Sequence, residues 1–154
     1  MVTLRKVRLS DPEVRPLLAG LADEYELRYG SGDEMATAKA DEFTWPDGAF
    51  LIVVEGSETL AGGGIRRCSA DTCELKRMWT APTHRRRGHA SAVLAGLEGA
   101  ARDLGYTFIR AETGPAQPEA ISLYRRRGYR DIPNYGPYEG SFAFEKRLDV
   151  ETDG

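Results

Sequence analysis

Runs of apolar residues separated by turn residues predict several strands in the first half of the chain. Residues 2–9 alternate between apolar and basic types, which is typical of a strand at a sheet edge. Residues 49–54 form a continuous apolar run, as in a buried strand. Further strands are predicted at 59–68 and 73–80. Glycines at 62–64 favour a bulge or the close approach of a neighbouring backbone in the first of these two.

Apolar residues recur at helical spacing in other segments. The first helix follows a capping sequence at 10–13 and ends near Gly30. The second carries one apolar stripe over 90–104, and a glycine follows it. The third covers about 118–127, and a short helix is also expected around 34–43.

The order of these elements predicts the fold class. Antiparallel strands come first, and helix crossovers appear only later, around strands at 106–112 and 141–148. This order indicates an α+β fold with a mixed, mostly antiparallel sheet of six to seven strands, flanked by about four helices. A chain of 154 residues has the size of one domain, which we expect to span residues 1–148, with 149–154 as a C-terminal tail.

Composition narrows the class of protein. Hydrophobic residues make up 41% and charged residues 29%, which is normal for a soluble globular protein. There is no apolar stretch of membrane-spanning length, and the N-terminus lacks the apolar region of a signal peptide. A net charge of −3 argues against general nucleic-acid binding. We therefore expect a cytoplasmic protein without membrane or nucleic-acid partners.

Two cysteines, Cys68 and Cys73, flank a short turn. They can face each other across a hairpin as a disulfide or remain two small, half-buried thiols, and a reducing cytosol favours the thiols. Because no second pair of ligands stands at a suitable spacing, we expect no metal site.

The most informative segment joins the end of a strand to the start of a helix. Free N–H groups at a helix start and the helix dipole favour an anion there. Gly88 lets the backbone approach a ligand closely, and the arginines before it add charge that pairs with phosphate. The pattern predicts a pyrophosphate cradle, with a solvated basic loop as the alternative. The residues expected in the cradle are Arg85, Arg86, Arg87, Gly88, His89, Ala90 and Ser91.

Three segments, in the right order, resemble the GNAT family of N-acetyltransferases. Arg85-x-x-Gly88-x-Ala90 after a strand is similar to the coenzyme A motif of that family. Residues 74–80 resemble its fourth strand and residues 120–129 its late helix. The resemblance covers about residues 2–148 and implies a GNAT-like fold that transfers the acetyl group of acetyl-CoA to an amine.

The resemblance also implies roles for single residues. The backbone of Met78, Trp79 and Thr80 binds the pantetheine arm where this strand splays from its neighbour, and an N–H there stabilises the thioester oxyanion. Tyr124 matches the tyrosine that protonates the leaving thiolate, with simple packing in a helix as the alternative. Glu74 matches a catalytic glutamate of histone-type members, with a surface or salt-bridged glutamate as the alternative.

The general base has a second candidate in Glu112, at the end of the next strand. His84 and His89 lie in the cradle and are expected to contact phosphate or solvent rather than to act in catalysis. Gln117 stands where many relatives carry asparagine, which changes a local contact but not the fold.

The acceptor is expected between the first helices and the loop at 132–139. The first region is acidic and aromatic and the loop carries tyrosines, so both suit a cationic amine. We expect a small-molecule amine, with a protein amine as the alternative, and a homodimer as in many relatives. Two other readings remain open: a non-catalytic acyl-CoA sensor, and a phosphate- or nucleic-acid-binding module that uses the basic runs at 85–87 and 125–127.

Overall fold

The computed structural model describes residues 1–29, 40–136 and 140–148. Seven strands form one sheet in the order β1-β2-β3-β4-β5-β7-β6. Within this described part, β4 and β5 run parallel and all other neighbours run antiparallel, which confirms the predicted mixed sheet. The strands are β1 (Val2–Val7), β2 (Ala49–Glu55), β3 (Glu58–Arg67), β4 (Thr72–Thr80), β5 (Phe108–Thr113), β6 (Arg130–Ile132) and β7 (Phe142–Arg147).

Three α-helices lie within the described ranges: α1 (Arg15–Tyr29), α2 (His89–Asp103) and α3 (Pro118–Arg126). Short 3-10 turns occupy Pro12–Val14, Ala40–Phe43 and Pro82–His84. Most of the short helix expected at 34–43 lies outside the described residues, and its described end is the second of these turns. The expected tail at 149–154 also lies outside them. The helices found in the described ranges are too short or too polar to cross a membrane.

The sheet separates two hydrophobic cores. Helices α2 and α3 cover one face, where Leu51 and Val53 meet Leu94 and Leu97. Helix α1 and the turn at Ala40–Phe43 cover part of the other face. Strand β2 is buried on both sides, because its alternate residues enter the two cores, and this explains its unbroken apolar sequence.

Strand β4 contains a bulge opposite the glycine run of β3. Gly62 pairs with Trp79, whereas Gly64 pairs with Lys76, so β4 has one extra residue between the two pairs. Arg77 lies in this interval with a φ of 62°. A Cβ at Gly63 would lie 2.3 Å from the sulfur of Met78 but 3.4 Å from its Cα, so glycine here leaves room for the Met78 side chain. The bulge that the glycines favour in the sequence is therefore present.

Beyond the bulge, β4 separates from β5. Their pairing ends at Glu74 and Arg110, although β4 continues to Thr80 and β5 to Thr113. Each strand stays paired with its other neighbour along this stretch. We call the gap between residues 75–80 and 111–113 the β4–β5 opening.

Cys68 and Cys73 are both free thiols. Cys73 pairs with Arg67 across the hairpin, so the two cysteines do not stand opposite each other. Cys68 is exposed and Cys73 is fully buried, which differs from the expected pair of half-buried thiols. Burial raises the pKa of the Cys73 thiol to about 12.

Candidate active site

The loop between β4 and α2 presents unbonded backbone donors. Gly88, with a φ of 81°, caps α2 without a side-chain hydrogen bond. The first backbone bond of the helix runs from the N–H of Ala92 to the carbonyl of Gly88, over 3.0 Å. This arrangement is the one that the cradle prediction requires. At the start of α2, the N–H groups of His89, Ala90 and Ser91 have no acceptor in the described part of the chain.

The arginines of the loop differ in their contacts. Arg85 forms an ion pair with Glu24 of α1, which connects the cradle to the other side of the sheet. Arg86 and Arg87 are exposed, and Arg86 has a φ of 64°. A phosphate group that binds Arg85 would therefore compete with the carboxylate of Glu24.

The two histidines of the cradle lie near each other. The rings of His84 and His89 have their centroids 6.4 Å apart, and Nδ1 of His84 is 3.0 Å from the hydroxyl of Thr83. Both histidines therefore lie beside the start of α2, where the sequence places them.

The end of β4 offers its backbone edge rather than its side chains. Met78 packs toward the α2 and α3 core, and Trp79 is buried in the core beneath α1. Thr80 pairs with Ala61 of β3. The edge that faces β5 has no ladder partner within the described chain, because pairing with β5 ends at Glu74. An amide-bearing ligand arm can therefore bond to this edge.

Tyr124 of α3 is packed in the core on the α2 and α3 face of the sheet. Its ring centroid lies 5.5 Å from those of Tyr129 and Phe144. Burial and the nearby hydroxyl of Tyr25 on α1 raise the pKa of Tyr124 well above that of an ordinary tyrosine. The packing alternative from the sequence is therefore present, and the phenol stays protonated.

Glu74 is buried on the α1 face and already has partners for both oxygens. Its Oε1 accepts a 2.8 Å hydrogen bond from Nε of Arg66, and its Oε2 accepts a 3.2 Å bond from the hydroxyl of Tyr135. Arg66 also pairs with Glu42 over 2.6 Å. The salt-bridged alternative from the sequence is therefore present, with Arg66 rather than the neighbouring Lys76 as the cation.

Tyr135 was expected only as part of an aromatic loop, and its link to Glu74 gave no sequence signal. The guanidinium carbon of Arg110 lies 5.2 Å from the centre of its ring. Burial, Glu74 and Glu112 together raise the pKa of Tyr135 far above its ordinary range. This phenol therefore stays protonated and joins the loop between β6 and β7 to the β4–β5 opening.

Glu112 lies on β5 beside the opening. Its Oε2 is buried and has no hydrogen-bond partner in the described ranges. The backbone of Gly136 covers this carboxylate so closely that a Cβ there would lie 2.1 Å from Oε2. The second candidate for the base thus lies in a different environment from Glu74.

Gln117 shapes the turn that leads from β5 into α3. Its Oε1 accepts a 3.0 Å hydrogen bond from the hydroxyl of Thr113 and a 3.4 Å bond from the N–H of Gly114. The side chain thus holds the end of β5 against the start of the helix that carries Tyr124.

The second basic run, at 125–127, is largely neutralised. Arg125 pairs with Asp131 over 2.8 Å, and Arg127 pairs with the buried Glu98 over 3.4 Å. These pairs tie α3 to its surroundings and offset the charge of two of its three arginines, although Arg125 itself stays exposed.

The residues fit coenzyme A on two counts. The start of α2 offers N–H groups for phosphates, and the β4 edge offers backbone groups for the amides of pantetheine. Tyr124, which stays protonated, lies in the core on the same face of the sheet as α2. On the other face of the sheet the opening meets carboxylates and Tyr135. An acyl donor and an amine can therefore approach each other from opposite faces.

Comparisons with known proteins identify the family of this chain. The acetyltransferase (GNAT) family model matches residues 18–129. An uncharacterized N-acetyltransferase of Escherichia coli (strain K12), YjgM, is 29% identical over 137 residues, which cover 84% of this chain and 82% of that protein.

Solved structures share the fold. A GNAT-family acetyltransferase from Staphylococcus aureus Mu50 has a TM-score of 0.79 at 12% identity, over 97% of this chain and 100% of that one. The PaiA N-acetyltransferase from Thermoplasma acidophilum, in complex with coenzyme A, has a TM-score of 0.74 at 15% identity, over 96% of this chain and 99% of that one. Because the family model spans more than half of the sequence, the chain belongs to the acetyltransferase (GNAT) family, and it is an acyltransferase with acetyl-CoA as its cosubstrate.

Proposed function

We propose that this enzyme acetylates a primary amine of a small molecule. The observation that carries the proposal is the β4–β5 opening, with the phosphate cradle and Tyr124 toward one face and the carboxylates with Tyr135 toward the other. Carboxylates and an aromatic ring complement a cationic amine. The cytoplasmic location and the homodimer stay predictions of the sequence.

The donor side is held by backbone groups. The N–H groups at the start of α2 would bind the pyrophosphate, and the free edge of Met78–Thr80 would bind the pantetheine arm. Acetyl-CoA supplies the acetyl group and the thiolate that leaves. Arg86 and Arg87, which are exposed, add positive charge beside the phosphates.

Tyr124 is the proposed general acid. Burial and the Tyr25 hydroxyl raise the pKa of Tyr124, so its phenol carries a proton throughout the neutral range. A leaving thiolate whose conjugate acid has a pKa near ~8.5 can accept this proton at sulfur. Protonation assists departure but is not obligatory, because a thiolate of this basicity is already a fair leaving group.

Glu74 is the general base that the sequence predicts. Both of its oxygens accept hydrogen bonds, one from Arg66 and one from Tyr135. We propose that Glu74 fixes Tyr135 over the acceptor side and contributes negative charge there. In this role Glu74 orients Tyr135 at the wall of the site, and another group takes the proton of the amine.

A thiol-release assay with acetyl-CoA and a panel of primary amines tests the proposal. We expect Tyr124→Phe to lower kcat by about 100-fold while acetyl-CoA still binds. The matched control is Tyr129→Phe, in the neighbouring ring. It removes a 2.8 Å hydrogen bond to Glu98, so it should lower the free energy of unfolding by about 1–3 kcal/mol and leave kcat within about twofold.

Each other outcome counts against part of the proposal. Equal kcat values for Tyr124→Phe and the unaltered enzyme would show that the thiolate leaves without this acid. If acetyl-CoA binds tightly but coenzyme A is released only when a lysine-containing peptide is the acceptor, and not with any small amine, a protein acceptor is favoured. Tight binding without any release would favour the sensor reading.

A further inference from the structure

We propose that Glu112 binds the ammonium group of the acceptor and takes its first proton, so that the enzyme selects amines that are cationic at neutral pH. The inference rests on the proposed acetylation of a small amine and names the residue that selects this amine. It assigns to Glu112 the role of general base, for which Glu74 is the first candidate on the resemblance to the family and Glu112 the second.

The position of Glu112 in the sheet is the first support. Strand β5 pairs with β4 only as far as Arg110, and Glu112 follows two residues later on the same face. Its neighbour on the other side, Ala143 of β7, is small. The carboxylate therefore borders the part of the opening where β4 has moved away, whereas Glu74 lies where the two strands still pair.

The second support is the missing partner. Three glutamates lie on this part of the α1 face, and two of them are satisfied by arginines. Glu74 accepts from Arg66, and Glu145 accepts 2.8 Å bonds from Arg110 and Arg130. Glu112 forms no such pair within the described ranges, and its Oε2 is buried. A buried carboxylate oxygen without a donor is costly, and a bound ammonium would supply both the donor and the opposite charge.

The third support is the surroundings of this carboxylate. The backbone of Gly136 lies against it, and the buried phenol of Tyr135 is close enough for Glu112 to raise its pKa. The phenol thus stays neutral, and its ring provides a face for an alkylammonium group. A cation next to Glu112 would lie against the backbone of Gly136 and the buried Tyr135, and reduced contact with water strengthens its attraction to the carboxylate.

The protons balance in this scheme. The ammonium gives one proton to Glu112, and the neutral amine nitrogen then bonds to the acetyl carbon as the carbon–sulfur bond breaks. Tyr124 gives its proton to the thiolate and regains one from the nitrogen as the amide forms. Glu112 releases its proton to solvent, so the products are the amide, the free thiol and one proton. An amine that is already neutral does not need the step at Glu112.

The test compares charged and uncharged acceptors with the full-length enzyme. Benzylamine and tyramine are cationic at neutral pH, and aniline and para-aminophenol are their uncharged counterparts. We expect Glu112→Gln to lower kcat/KM for the first pair by about 100-fold and for the second pair by about twofold at most. The control Glu58→Gln removes an exposed carboxylate at the far end of β3 and should change neither value.

A second variant tests the position of the Glu112 carboxylate without replacing this residue. Gly136→Ala keeps Glu112 but places a methyl group where its carboxylate now lies. Because the end of a glutamate side chain can turn away, the fold should persist, and kcat/KM for benzylamine should fall while that for aniline stays. Unchanged rates with both amines would show that the position of this carboxylate does not matter.

Four results would overturn the inference. Equal losses for charged and uncharged amines in Glu112→Gln would assign Glu112 a structural role. No loss for either class would remove it from the reaction. An unaltered enzyme that acetylates only uncharged amines would leave acetyl transfer standing and refute the ammonium site. If the unaltered enzyme acetylates none of them, the proposed function fails first, and the inference fails with it.

Discussion

Replacing Gly88 by alanine separates the stability of the fold from binding of the donor phosphates. Gly88 has a φ of 81°, in the left-handed region, and a Cβ there would meet no atom within 4 Å. The cost to the fold is therefore a backbone cost of about 1–2 kcal/mol. For a protein of this size, each kcal/mol lowers Tm by about 2–4 °C.

The same helix offers a matched control at its other end. Gly105 has a φ of 90°, and a Cβ there would also meet nothing within 4 Å. Gly105→Ala should therefore destabilise the protein by the same ~1–2 kcal/mol. Gly105 follows the C-terminus of α2, whereas the proposed phosphate site is at the N-terminus, so this variant should bind acetyl-CoA like the unaltered protein.

The effect of Gly88→Ala on binding follows from the free donors of α2. An alanine relieves its strain by leaving the left-handed region, and this rotation turns the N–H groups of His89 and Ala90 away from their present direction. The loss of one hydrogen bond to a charged group is worth about 1.5–3 kcal/mol. The dissociation constant for acetyl-CoA should therefore rise at least about tenfold.

Two measurements separate the effect of each variant on stability from its effect on acetyl-CoA binding. Thermal unfolding without ligand gives the stability of both variants, and isothermal titration gives their affinity for acetyl-CoA. We expect similar Tm losses and a large affinity loss in Gly88→Ala alone. If Gly88→Ala binds acetyl-CoA as tightly as Gly105→Ala, the phosphate cradle at the start of α2 is wrong.

Two other predictions concern charge and thiol chemistry. Glu24→Gln removes the ion pair that holds Arg85. Partly exposed pairs are worth about 0.2–1 kcal/mol, so acetyl-CoA should bind about 1.5- to 5-fold more tightly. Unchanged or weaker affinity in the same titration would show that Glu24 does not compete with phosphate. Burial raises the pKa of Cys73 to about 12, whereas Cys68 is exposed. At pH 8 a chromogenic disulfide reagent should therefore modify Cys68 quickly and Cys73 only after unfolding. Fast reaction of both thiols in the native protein would contradict this.

Local sequence patterns were enough for the fold. The continuous apolar run of β2 and the apolar stripe of α2 report which faces are buried, and both elements lie where these patterns place them. Errors occur at boundaries, as at the start of β5. Tyr106 and Thr107 look like strand residues, but the hydroxyl of Tyr106 bonds to the carbonyl of Asp47 and the N–H of Thr107 to that of Asp71, so the strand begins at Phe108.

The candidate site likewise has a part that local sequence patterns predict and a part that they do not. The cradle is a local motif, and its glycine lies in the left-handed region at the start of α2, inside the segment that the sequence singles out. The contact between Tyr135 and Glu74 joins residues 61 positions apart, and no spacing rule connects them. The missing partner of Glu112 Oε2 was equally hidden, because the nearby arginines, Arg66 of β3 and Arg110 of β5 itself, bind Glu74 and Glu145 instead.

The β4–β5 opening explains why these groups can act together. Tyr124 lies in the core on the α2 and α3 face, and the carboxylates lie on the α1 face, so an intact sheet would keep them apart. The extra residue at Arg77 bends and twists β4, and Gly63 gives the bent strand room beside β3. Pairing with β5 then stops after Arg110, so the two strands separate between the two faces of the sheet. In the proposed reaction the glycine run acts indirectly, because it sets the path of the neighbouring strand.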